Sequence, residues 1–323
     1  MKKVLFTGDT LSQEKREYYL SKGVEIIPAS YDLTIDQLIS ALQGCDGYIL
    51  GGDEILTREV IYKIPETVKA ISFFGAGYEK YIDAEAAKER GIMVSNTPGA
   101  NSHSVAEMTI ALLFACMKNL FSVASKTKQG EWTRPKTSDI LGKTVGIIGL
   151  GNIGKDVART LNKGLNCKIL YSGNTPKKDI DEEIGSKFVS LDELLTLSDI
   201  ILVHSALNEK TLNLLGTDEF NKMKEGVVLI NTARAEIVNE DALYEALVNG
   251  KVKIAGFDVF YEEPITGEVV HRHKLLSLTD EQFIITPHMA YYTYDAINKM
   301  EQMAIDNAVE MVIENNCQYI VNR

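Results

Sequence analysis

Short apolar runs along this chain alternate with stretches of helical spacing, and the alternation occurs twice. In the first hundred residues "KKVLFTG", "GVEIIPA", "GYILGG", "KAISFFG" and "GIMVSN" read as strands. Helical stretches separate them, such as "TIDQLISALQG", where Thr34 caps the N-terminus and Gly44 ends the last turn. Strand–helix alternation of this kind predicts a mostly parallel sheet covered on both faces. At Pro98–Gly99 the rhythm breaks, and one helix of about twenty-five residues is expected through "NSHSVAEMTIALLFACMKNLFSVASK". A helix that long suits a crossing between domains, a dimer contact or a plain core helix.

The second run begins at "GKTVGIIGLGNIG". Its strands are "TVGIIG", "CKILYS", "DIILVHS", "GVVLINTA", "IAGFDVF" and "FIITPH". In "SLDELLTLS", Ser190 and Glu193 form a capping-box pair. A last helix is expected over about 293–315, with Ile297, Met300, Ala304, Ala308, Met311 and Val312 on one face. No internal repeat or low-complexity tract interrupts the pattern.

Two runs in 323 residues suggest two domains, since one hydrophobic core rarely serves so long a chain. The net charge of −11 argues against a nucleic-acid partner, which selects a basic face. Cys45, Cys116, Cys167 and Cys317 form no CxxC pair, which fits a reduced, cytoplasmic setting without a zinc knuckle. The start "MKKVLFTGDTLSQEKREYYL" lacks the apolar core of a signal peptide. "TIALLFACM" is too short to span a bilayer, so no membrane association is expected.

Candidate chemistry begins with "VGIIGLGNIGKDVA", which places Gly149, Gly151 and Gly154 in G-x-G-x-x-G spacing, with Asn152 and Ile153 inside it. Behind an apolar strand and ahead of an amphipathic helix, this spacing marks a dinucleotide pyrophosphate site. The next strand should end on an acid that grips the ribose of NAD. In its place stand Ser172, Gly173, Asn174 and Thr175, then Lys177 and Lys178. Neutral donors with nearby positive charge favour NADP(H) over NAD(H). Three further strand ends carry Arg234, then Asp258 with Glu262 and Glu263, then His288. A guanidinium can fork onto a carboxylate, and a histidine beside an acid can exchange a proton.

Taken together and in order, "FFGAGYEKYID", "NTPGANSHSVAE", "LGKTVGIIGLGNIG", "NTARAEIVN", "DVFYEEP" and "TPH" make the chain resemble the D-isomer-specific 2-hydroxyacid dehydrogenases over nearly its whole length. The resemblance implies two doubly wound α/β domains, a Rossmann cofactor domain over 101–290 inserted into a flavodoxin-like substrate domain of 1–100 plus 291–323. It implies reduction of a small 2-keto acid in the cleft between them. Arg234 would hold the substrate carboxylate and His288 would give the proton to the keto oxygen. Glu263 would pair with His288 and favour its imidazolium. The Gly75, Ala76 and Gly77 amides would close on the carboxylate. Thr232 and Ala233 would line the cofactor, and Asp258 would face the nicotinamide amide. It also implies a homodimer; no metal site is expected from the cysteine and histidine spacing.

Several stretches depart from the family pattern. Ala235 stands where many members have Gly, Glu79–Lys80 replace an Asp-Asn pair, and Ile265–Asp280 is longer than in compact members. "MAYYT" resembles the lactate and hydroxyisocaproate branch, whereas "YSGNTP" resembles the glyoxylate/hydroxypyruvate reductases, so the keto acid stays open. No C-terminal regulatory domain is expected after the last helix. A second reading is a nucleotide-sensing protein of the corepressor type; a formate dehydrogenase is disfavoured by length. Among the other histidines, His204 is expected to be a satisfied strand-end residue. His271 and His273 form an HxH with no carboxylate cluster in view. His103 either caps the long helix or faces the cleft.

Overall fold

The computed structural model describes residues 1–8, 11–52 and 54–323, and the chain divides into two compact units. The first unit comprises Met1–Asn101 and Tyr294–Arg323. Its strands are β1 (Lys2–Thr7), β2 (Val24–Ala29), β3 (Gly47–Leu50), β4 (Ala70–Phe73) and β5 (Met93–Ser95). All pair in parallel in the order β2-β1-β3-β4-β5, the flavodoxin-like arrangement, which reverses direction between β1 and β3. β3 and β4 are buried at every position, which accounts for their largely apolar sequences. Thr34 caps its helix with a reciprocal capping box, and Gly44 adopts φ +75° just beyond it. The closing helix, Tyr294–Glu314, buries Ala304, Ile305, Ala308, Met311 and Val312 against Val4, Phe6, Ile49 and Ala70 of the sheet.

The second unit, Ser102–Thr293, holds seven parallel strands. They are β6 (Thr144–Ile148), β7 (Lys168–Ser172), β8 (Lys187–Phe188), β9 (Ile200–Val203), β10 (Val227–Asn231), β11 (Val252–Phe257) and β12 (Phe283–Ile285). The order β12-β11-β10-β9-β6-β7-β8 reverses at β6/β9, which is the Rossmann switch point. One apolar cluster fills each face of this sheet.

The long helix expected after Pro98 is two helices, Ser102–Met117 and Leu120–Lys128, bent by 62°. Asn119 lies between them at φ 50°, in the left-handed region that asparagine tolerates better than most residues. The apolar spacing runs through the bend, so periodicity alone does not reveal it. Among the described residues, no single helix is long and apolar enough to cross a membrane.

Candidate active site

The glycine loop joins β6 to the helix Asn152–Leu165, with Gly151 as N-cap. Gly149 has φ +93°, and a Cβ there would lie 2.7 Å from the Ser205 backbone. A Cβ on Gly154 would lie 2.6 Å from the Gly149 carbonyl oxygen, so only glycine lets this helix approach the strand. Beside Gly151 the space is open, as a pyrophosphate on a helix N-terminus requires. Asn152 is exposed, and Ile153 packs on the core below. These residues fit a dinucleotide.

β7 ends directly alongside, where the Gly149 amide donates to the Ser172 carbonyl at 2.8 Å. Asn174 and Thr175 are exposed after Ser172. The Lys177 amide donates to the Tyr171 hydroxyl at 2.6 Å, and its ammonium reaches Thr175 Oγ1 at 3.0 Å. Tyr171 in turn donates to Asp181 at 3.0 Å, which fixes the course of the loop. The nearest acid in sequence, Asp179, is an ion-pair partner of Lys155 at 2.5 Å.

At the end of β10, Asn231 organises the turn that carries Arg234. Its side-chain oxygen accepts from the Ala233 amide at 2.9 Å, and its amide nitrogen donates to the Arg234 carbonyl at 2.9 Å. Thr232 is buried, with its hydroxyl 2.8 Å from that of Thr109. The half-buried Arg234 guanidinium donates to the Ala233 carbonyl at 2.7 Å and pairs with no carboxylate among the described residues. A partly desolvated guanidinium in that state suits an incoming carboxylate.

β11 and β12 bring the acid and the histidine together. Glu263 Oε2 lies 2.9 Å from His288 Nδ1, while its Oε1 accepts from the Phe260 amide at 2.8 Å. The ring is partly exposed, and its Nε2 has no hydrogen-bond partner among the described residues. His288 itself sits at φ 51°. Asp258, fully buried, holds the neighbouring loop. It accepts from the Thr286 hydroxyl at 2.5 Å and from the Met289 and Ala290 amides at 3.1 and 2.8 Å. Its carboxylate therefore braces the segment on either side of His288.

In the first unit, Gly75, Ala76 and Gly77 follow β4. Thr97 donates to the Gly75 carbonyl at 2.8 Å and Asn96 to the Ala76 carbonyl at 2.7 Å. Among the described residues, no acceptor takes up the three amides of this turn.

Two expectations are corrected here. His204 is not satisfied: both ring nitrogens are buried without a partner among the described residues, and burial lowers its imidazole to about 4. It stands at the end of β9 beside Gly149, and its amide donates to Ile148 O at 2.8 Å. The apolar run "DIILVHS" places it at a strand end but gives no sign of this isolation. His273 does have carboxylates around it, Glu240 at 2.8 Å and Glu262 at 3.6 Å. Glu240 lies thirty-three residues away in sequence, which hid the cluster. No group of three or more ligating side chains able to hold a metal exists among the described residues. His103 is exposed at the helix start, 3.3 Å from Glu107 and 4.0 Å from Asp156. Asn231, Thr286 and the Phe260 amide were missed as organisers, although "NTARA" and "TPH" contain the first two.

A glycine-cradled helix N-terminus at a parallel-sheet switch point, with an acid-paired histidine and an unpaired arginine at neighbouring strand ends, defines a dinucleotide-dependent oxidoreductase. Residues 110–290 match the family described as "D-isomer specific 2-hydroxyacid dehydrogenase, NAD binding domain". The chain is 38% identical over 292 residues to the hydroxypyruvate reductase of Thermotoga maritima, covering 90% of this chain and 92% of that one. It is 32% identical over 278 residues to a glyoxylate reductase of Korarchaeum cryptofilum, covering 84% and 81%. A solved glyoxylate reductase from Paecilomyes thermophila superposes with a TM-score of 0.85 at 29% identity, over 99% and 98% of the two chains. The chain belongs to the D-isomer-specific 2-hydroxyacid dehydrogenase family.

Proposed function

We propose that this protein reduces a small 2-keto acid to the D-2-hydroxy acid, using NADP(H) in preference to NAD(H). The observation that carries the reading is the contact of 2.9 Å between His288 Nδ1 and Glu263. A carboxylate on Nδ1 fixes the tautomer and leaves Nε2 as the ring atom that gives a proton to the keto oxygen, or takes it back in the reverse direction. Arg234 holds the substrate carboxylate and polarises the keto group. The Gly75, Ala76 and Gly77 amides are assigned as further carboxylate donors. Residues 101–290 are assigned to the cofactor, and 1–100 with 291–323 to the substrate.

When bound, the dinucleotide supplies the hydride. Gly149, Gly151, Asn152, Ile153 and Gly154 are assigned to its pyrophosphate, and Thr232, Ala233 and Asp258 to its nicotinamide end. Names among the relatives point to glyoxylate or hydroxypyruvate as the keto acid. At the ribose, Ser172, Asn174, Thr175 and Lys177 offer donors and positive charge, which support NADP(H).

The test is a paired assay of NADPH and NADH with glyoxylate, hydroxypyruvate, pyruvate and 2-ketoisocaproate. Faster turnover with NADPH is expected. Ser172→Asp should move the NADPH-to-NADH ratio of kcat/KM by roughly tenfold or more towards NADH, because a carboxylate repels the 2′-phosphate. An unchanged ratio would show that these residues do not read the ribose. Nucleotide binding with no turnover on any keto acid would favour the sensor reading.

We infer also that the protein is a cytoplasmic homodimer. All four cysteines are free and buried. Phe114, Leu120 and Phe121 are exposed on the two bent helices and Trp132 and Leu141 in the segment that follows, apolar side chains that a second copy would cover. Sedimentation at twice 35.8 kDa is expected, and a 35.8 kDa species at micromolar concentration would rule the dimer out.

A further inference from the structure

We propose that His273 is a positioning residue for the His288–Glu263 pair, an inference that rests on the function proposed above. His273 belongs to Ile265–Asp280, the segment between the Glu263–Pro264 turn and β12. That segment folds as the helix Gly267–Arg272 followed by the 3-10 turn Lys274–Ser277. Val269 and Leu275 anchor it in the same core cluster as Ala242, Leu243 and Phe260.

The His273 side chain is largely buried and touches three consecutive residues, those directly before Glu263. Its ring meets Phe260 edge-on at 4.9 Å and stacks on Tyr261 at 6.4 Å with the planes 14° apart. Its Nε2 lies 3.6 Å from Glu262 Oε2. On the other side Nδ1 lies 2.8 Å from Glu240, in the first turn of the helix Glu240–Val248. The ring therefore ties the turn Phe260–Glu263 to a helix outside it. Tyr261 adds a second tie, its hydroxyl donating to the Val238 carbonyl at 2.7 Å.

This matters for catalysis because Glu263 is held by that same turn. Its Oε1 accepts from the Phe260 amide at 2.8 Å, which leaves Oε2 for His288. If Phe260 shifts, Oε1 loses that amide's hydrogen bond and the carboxylate can rotate away from Nδ1. His273 sets where Phe260, Tyr261 and Glu262 sit, and so sets the aim of Glu263. Its contacts are with Phe260, Tyr261, Glu262 and Glu240, and it acts through them.

The test compares wild type, His273→Leu, His273→Gln and, as a reference, His288→Gln. In His273→Leu, kcat for keto-acid reduction should fall roughly tenfold, as small misplacements of catalytic groups do. The KM for the keto acid and the dissociation constant of NADPH should stay within about twofold. His273→Gln keeps an N–H donor facing Glu262 and should recover most of the lost kcat. Hydrogen exchange at the Phe260 amide, read without turnover, should accelerate in the Leu variant while global stability changes little. Wild-type kcat with wild-type Phe260 exchange in the Leu variant overturns the proposal. So does a loss spread over KM, cofactor binding and melting temperature that Gln does not rescue, since that marks a purely structural role. If wild type turns over no keto acid, or His288→Gln is as active as wild type, the functional reading fails instead, and Phe260 exchange alone decides whether His273 aims Glu263.

Discussion

His288→Gln is expected to lower kcat for keto-acid reduction by roughly 10²–10⁴, the usual reach of general acid–base catalysis. Glutamine can still meet Glu263 through its amide, so the surrounding loop should hold. Asp258 braces that loop independently through the Met289 and Ala290 amides. Glutamine cannot deliver a proton at neutral pH, so the loss should fall on kcat rather than on cofactor affinity. Steady-state kinetics together with NADPH titration separate the two. Turnover within about threefold of wild type would remove His288 from its assigned role.

Arg234→Lys should lower kcat/KM for the keto acid by roughly 10- to 160-fold, the loss of one charge-assisted hydrogen bond worth about 1.5–3 kcal/mol. Lysine keeps the charge but offers a point rather than a planar fork, and it cannot reproduce two parallel bonds to a carboxylate. The side chain has no internal carboxylate partner among the described residues, so little stability should be lost with it. NADPH affinity should be unchanged. Equal kinetics in the two forms would mean that the substrate carboxylate is bound elsewhere.

Sequence pattern carried much of the fold because buried parallel strands leave a strong trace. β3, β4, β9 and β10 are buried at every position, and each was visible as a largely apolar run, interrupted only by Ser72 in β4 and Asn231 at the end of β10. β8 was not, since two exposed residues, Lys187 and Phe188, carry no period. The bend at Asn119 was missed because the apolar spacing continues across it, while one left-handed residue redirects the axis. Within the candidate site, short-range chemistry was legible. The glycine spacing, the TPH histidine and the acid before Pro264 are all local signals. What could not be read were contacts between residues distant in the chain, such as Glu240 with His273 or Asp258 with Ala290. The isolation of the His204 ring depends on what surrounds it in space, and no run of letters reports that.

The first unit is assembled from both ends of the chain, with the helix Tyr294–Glu314 packed on strands formed from the first hundred residues. During synthesis from the N-terminus, β1, β3 and β4 emerge well before that helix exists. Val4, Phe6, Ile49 and Ala70 must then wait for this part of their cover until residues 294–314 have been made. The second unit is continuous, so it can close as soon as its own residues have left the ribosome. Vectorial synthesis thus gives the two units different fates. The continuous unit can complete its core before residues 294–314 are made, whereas the early-made sheet cannot.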